Sequence, residues 1–91
     1  MAYRFVEGRA YEAIPAYEGA KRRLVVCAGR TGQRVQLVWA EDLSIEDSRA
    51  YELDREIIQA ERPDGLVYTI SAAVPLDTSS AAVILDLVRN R

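Results

Sequence analysis

Over residues 21–40 the hydrophobic pattern takes on strand periodicity. Leu24-Val25-Val26-Cys27-Ala28 is an unbroken apolar run, and Val35, Leu37 and Trp39 alternate with Gln36 and Val38. Gly29-Arg30-Thr31-Gly32 lies between them. Two runs of strand-forming residues around a short Gly-containing loop predict a β-hairpin over 22–40. The first run is apolar on both sides, which suits a central strand covered on both faces. The second turns Val35, Leu37 and Trp39 inward and Gln36 toward solvent.

The flanking segments are read by the same rules. Residues 3–6 form a short strand before Glu7-Gly8. Residues 9–20 fit either a helix ended by Pro15 or a strand in which Tyr11 and Ala13 alternate; the alternation favours the strand. From Ser44 the pattern changes to a helical period. Ser44 is an N-cap with acids in the first turn, and Ala50, Leu53, Ile57 and Ala60 recur at spacings of three and four. Arg62-Pro63-Asp64-Gly65 ends this helix of about 44–61. Leu66, Tyr68 and Ile70 alternate in a further strand. Asp77-Thr78-Ser79-Ser80 then caps a second helix over about 78–90, with Ala81, Ile84, Leu85 and Val88 on one side. The resulting expectation is a single α+β domain over residues 1–91. Its mostly antiparallel sheet of four to five strands, built on the central hairpin 22–40, carries both helices on one face.

Composition narrows the chemistry more than the fold. The 91 residues include no histidine and one cysteine, Cys27. The commonest general base and metal ligand is therefore missing, and a Cys/His zinc site is excluded. No cofactor is expected. A lone Cys forms no internal disulfide, no apolar run reaches membrane-spanning length, and the N-terminus lacks a signal-peptide pattern; a cytoplasmic setting follows as the expectation. The net charge of −2 is unevenly spread: residues 1–34 carry seven Lys/Arg against three Glu, and residues 35–91 five Arg against eleven Asp/Glu.

Cys27-Ala28-Gly29-Arg30-Thr31-Gly32 resembles a fragment of the protein tyrosine phosphatase signature. That family needs five residues between Cys and Arg to wrap a phosphate; here two intervene, so Cys27 reads as a core residue. The loop is not a nucleotide-binding loop either, since Gln33-Arg34 and a strand follow Gly32. Glu52 and Glu56, four apart, fall on the expected helix beside its apolar stripe, where solvated charge is usual, and Thr78-Ser79-Ser80 lacks an activating base.

Without catalytic residue types, the chain is expected to be a non-catalytic protein-interaction or regulatory module of adaptor or inhibitor type. It would bind a larger protein partner through an acidic helical face at Glu46, Asp47 and Asp54. Five Tyr and Trp39 supply residue types enriched at binding hot spots. The alternative is a nucleic-acid-binding module whose basic hairpin offers Lys21, Arg22, Arg23, Arg30 and Arg34. An unprotected edge strand also admits a homodimer.

Overall fold

The structure, a computed structural model, describes residues 3–51 and 54–91. Its elements run β1 (Ala10–Pro15), β2 (Arg23–Thr31), β3 (Arg34–Trp39), β4 (Ile45–Arg49), β5 (Ile57–Glu61), β6 (Val67–Leu76) and α1 (Ser80–Arg89). The strands form one antiparallel sheet in the order β4-β3-β2-β1-β6-β5. Sheet neighbours are sequence neighbours except for β1 and β6, whose ladder rolls the sheet until β4 and β5 meet. Among the described residues one backbone hydrogen bond joins those two edges, from Tyr51 N–H to the Ile57 carbonyl at 3.2 Å. Among the described residues the fold is a nearly closed six-stranded barrel with one short helix.

The expected α+β layering with two helices and four to five strands is therefore corrected. Within residues 44–61, read as a helix, the described residues include β4, a bend at Asp54 and β5. Ser44 does not cap a helix: its amide and hydroxyl both donate to Asp42 Oδ1, at 3.0 and 2.7 Å, in a tight turn where Leu43 adopts a φ of 61°. β4 then satisfies the outer edge of β3, with Val35 opposite Ser48 and Leu37 opposite Glu46. A helix could not supply those backbone partners. Ala60, placed on the expected helical stripe, also obeys a period of two: with Ile58 it turns into the barrel, while Ile57 of the same stripe does not. Leu53, part of that stripe, and Glu52 lie outside the described residues. Residues 10–15 are a strand, as their alternation implied.

The barrel interior is filled by Val25 and Cys27 of β2, Val35, Leu37 and Trp39 of β3, Tyr11 and Ala13 of β1, and Ile58, Tyr68 and Ile70 of β5 and β6. Phe5, ahead of β1, closes one end, with its ring edge-on to Tyr11 at 4.9 Å. α1 packs Ala81, Ile84 and Leu85 outside, over Ala10, Val26 and Val38. This accounts for β2 being apolar on both sides: odd positions fill the barrel and even positions lie under the helix. Cys27 is fully buried, and burial pushes its thiol above the ordinary range. A small disulfide reagent should therefore leave Cys27 unmodified in the native protein and react on denaturation, read by thiol titration with and without urea.

Candidate functional site

Two polar clusters organise the ends of the barrel. At one end a bulge in β2 sets the geometry. Cys27 pairs with Leu37, but Gly29 pairs with Gln36 and Arg30 with Val35. One extra residue exchanges inward and outward positions, so Arg30 points into the barrel instead of toward solvent. There its guanidinium grips both oxygens of Glu56, which is 0% exposed. The same carboxylate accepts the Phe5 amide at 2.9 Å and Arg4 Nη1 at 3.4 Å. Burial alone would raise the Glu56 pKa; Arg30, the Phe5 amide and Arg4 more than offset it and hold the carboxyl below the usual range. Tyr11 completes the cluster, its hydroxyl accepting the Val6 amide at 2.9 Å. The group pins the N-terminal segment across the barrel mouth.

At the other end Trp39 and Tyr68 meet edge-to-face at 5.3 Å, each covered by an arginine. Arg62 lies 4.5 Å from the indole centroid, and Arg23 lies 5.5 Å from the phenol centroid while its Nε donates to the hydroxyl at 2.6 Å. Arg62 also donates to Ser44 Oγ at 2.8 Å and Asp42 Oδ2 at 2.6 Å, tying the end of β5 to the turn before β4. Ser44 and Arg62 together lower the Asp42 pKa to about 2. Both clusters close a barrel end, and their charged groups are paired internally; the buried indole Nε1 of Trp39 alone has no hydrogen-bond partner among the described residues. Among the described residues no three His, Cys, Asp or Glu side chains gather as metal ligands.

The residues expected to bind partners do not form two single patches. Glu46 and Asp47 are adjacent on β4 and so face opposite sides: Glu46 is half-buried and takes the Ser48 hydroxyl at 3.2 Å, while Asp47 faces out, 3.8 Å from Arg34 Nε. Asp54 is exposed in the bend before β5 and its carbonyl accepts the Tyr3 amide at 3.0 Å. Of the basic set, Lys21, Arg22 and Arg23 lie at the start of β2 and border a hollow of about 410 Å³ floored by Leu24 and Ala40. Arg22 reaches Glu12 at 3.1 Å, and Arg23 is bonded to Glu41. Arg30 is turned inward at the opposite end of the strand, and Arg34 opens β3 beyond the turn.

Sequence reasoning passed over a third surface. α1 covers the outside of the barrel over part of β1, β2 and β3 and reaches Leu76 at the end of β6. The outer face of β5, of β6 at Val67 and Thr69 and of the end of β1 has no such cover. Register places Ile14, Thr69 and Gln59 in one row, with Val67 beside Glu61 in the next. Ala16 N–H donates to the Val67 carbonyl at 2.9 Å, which brings Tyr17 alongside, 67% exposed. A hollow of about 170 Å³ lies between Ile14, Tyr17 and Arg22. The alternation of 66–71 carries the signal for this face, since Val67 and Thr69 must point away from Leu66, Tyr68 and Ile70. Comparison with protein-family models, curated proteins and solved structures finds no match for the chain.

Proposed function

We propose that the chain is a non-catalytic protein-interaction module of adaptor or inhibitor type. Its docking face is the uncovered outer surface of β1, β6 and β5. The observation that carries this reading is the grouping of Tyr17, Ile14 and Val67 on a sheet face the helix leaves open, bordered by Arg22, Glu18 and Glu61. An aromatic anchor with aliphatic neighbours and a charged rim is the composition of a binding hot spot. A cytoplasmic setting accords with the buried thiol of Cys27, and no helix among the described residues is long and apolar enough to cross a membrane. Nucleic-acid binding through Lys21, Arg22, Arg23, Arg30 and Arg34 is less favoured, because four of these five side chains already face carboxylates.

Affinity capture from native host lysate, run with and without nuclease, tests the reading. The wild-type chain should retain a discrete protein that resists nuclease, and Tyr17→Asp should lose it while melting at the wild-type temperature. Equal capture by both chains removes this face from consideration. Recovery only of nuclease- and salt-sensitive material would transfer the function to the basic residues.

A further inference from the structure

The outer face of the barrel continues past the margin of α1, and register carries it on in rows. Ala10, Val26 and Val38 form one row beneath the helix. In the next, Glu12 lies opposite Leu24, and Ala40 follows beside it, its amide donating to the Leu24 carbonyl at 3.0 Å. Leu24 and Ala40 are partly buried against the apolar group under α1, and their outer side floors the hollow of about 410 Å³ at the start of β2. A strand returns to the same face every second residue, so Arg22 belongs to the row beyond Leu24 and Ile14 to the row beyond Glu12.

Charge around this hollow is lopsided. Lys21, Arg22 and Arg23 line it against one carboxylate, Glu41. Glu41 is bonded to Arg23 and lies 3.6 Å from Arg62, and Arg23 is turned to the Tyr68 hydroxyl. Lys21 is exposed and has no carboxylate partner among the described residues. The Arg22 side chain is 64% exposed and reaches Glu12 through one Nη at 3.1 Å; a guanidinium carries several further N–H donors, which this contact leaves for a second carboxylate. Arg22 also lines the smaller hollow beside Ile14 and Tyr17. The turn after β1 arranges this: Ala20 N–H donates to the Tyr17 carbonyl at 3.1 Å and Gly19 adopts a φ of 86°, which returns the chain to the start of β2. The two hollows thus share Arg22, with apolar surface on either side of it.

We propose that this surface takes an acidic segment of a partner protein, with carboxylate over Lys21 and Arg22 and an apolar side chain in the hollow floored by Leu24 and Ala40. The inference rests on the protein-binding reading at Tyr17 and names the partner's chemistry. The floor distinguishes a peptide from a nucleic acid, since a phosphate backbone pairs with the cations and leaves Leu24 and Ala40 without a contact. Glu18, exposed on the smaller hollow, sets the direction: the acid lies on the Lys21 side and the apolar flank of the segment on the Tyr17 side.

The test uses the full chain and a capped pentapeptide of glutamates around a central leucine. One twin carries serine for the leucine, and another carries glutamine for the glutamates. Titration followed by amide chemical shifts should perturb residues 21–24 and 40–41 with the first peptide. The serine twin should bind about tenfold more weakly, as loss of a buried leucine implies, and the glutamine twin should lose the salt dependence of binding. Lys21→Glu changes an exposed side chain and should melt at the wild-type temperature. It should weaken the leucine peptide about fivefold, whereas Lys21→Arg should not. Equal binding by the leucine and serine peptides, equal binding by Lys21→Glu and the wild-type chain, or shifts confined to other residues would overturn the proposal. So would tighter binding of oligothymidylate at these same residues, which would assign the cations to nucleic acid. Lysate capture separates the two readings. A protein lost by Tyr17→Asp but kept by Lys21→Glu would overturn this extension and leave the Tyr17 face standing. Equal capture by Tyr17→Asp and the wild-type chain, with the leucine peptide still bound at 21–24, would remove the Tyr17 face and leave this surface.

Discussion

Glu56→Ala and Arg30→Ala are each expected to lower the unfolding free energy by about 3–5 kcal/mol, the usual result of leaving one member of a buried pair uncompensated. Against a total of about 5–15 kcal/mol for a domain of ordinary stability, either change is large. The reason lies in what the carboxylate holds. It receives the Arg30 guanidinium, Arg4 and the Phe5 amide, so its loss strands a cation at the barrel mouth and unties the N-terminal segment. The double replacement Arg30→Met with Glu56→Leu should recover most of the loss, because two apolar side chains carry no desolvation penalty. Urea denaturation at neutral pH measures all three. The pH dependence has a fixed sign. The folded Glu56 carboxyl titrates below its unfolded value, so its stabilisation is complete above the ordinary carboxylate range and disappears as pH falls through the folded value. Glu56→Gln should therefore show a shallower decline in stability with acid than the wild-type chain.

Trp39→Ala is expected to cost about 3–5 kcal/mol, the range for truncating a buried aromatic. Trp39 is fully enclosed, meets Tyr68 edge-on and supports the Arg62 guanidinium on its face. Trp39→Phe should cost less than about 2 kcal/mol. The indole Nε1 is buried without a hydrogen-bond partner, so phenylalanine gives up bulk but no bond. Because Trp39 is the one tryptophan, the variants are followed by circular dichroism instead of fluorescence. Amide exchange should rise most in β4 and β5 in Trp39→Ala, since Arg62 loses the surface it rests on while bridging them.

How much of this was legible beforehand depended on whether the deciding contact was local. The 22–40 hairpin, the strand at 66–71 and the final helix carry their own periodicity and turns. Residues 44–61 do not. Ala50, Ile57 and Ala60 fit a helical stripe, and Ile58 and Ala60 fit a strand; the unpaired edge of β3, distant in sequence, decides between them. Arg30 illustrates the same limit at one side chain. Counting alternate positions from Leu24 places it outside, and only the bulge at Ala28-Gly29 turns it onto Glu56. Glu56 accordingly looked like a solvated helix residue and is the buried charge of the barrel. The acidic and basic patches rested on adjacency in sequence, which a strand splits between two faces. The open face at Tyr17, Ile14 and Val67 required knowing which strands α1 leaves bare.

The strand order also bears on how the chain reaches its native state during synthesis. β1 through β4 pair as successive hairpins, each formed from segments a few residues apart. β1, however, completes its second edge only with β6, whose residues emerge more than fifty positions later. Until then the nascent sheet is an open ribbon with Tyr11 and Ala13 uncovered, and α1, which follows β6 in the chain, has no finished wall to settle on. Loop closure between β1 and β6 is thus the slow, non-local event in an otherwise local topology. Emergence of β6 and α1 completes both the barrel and its helical cover.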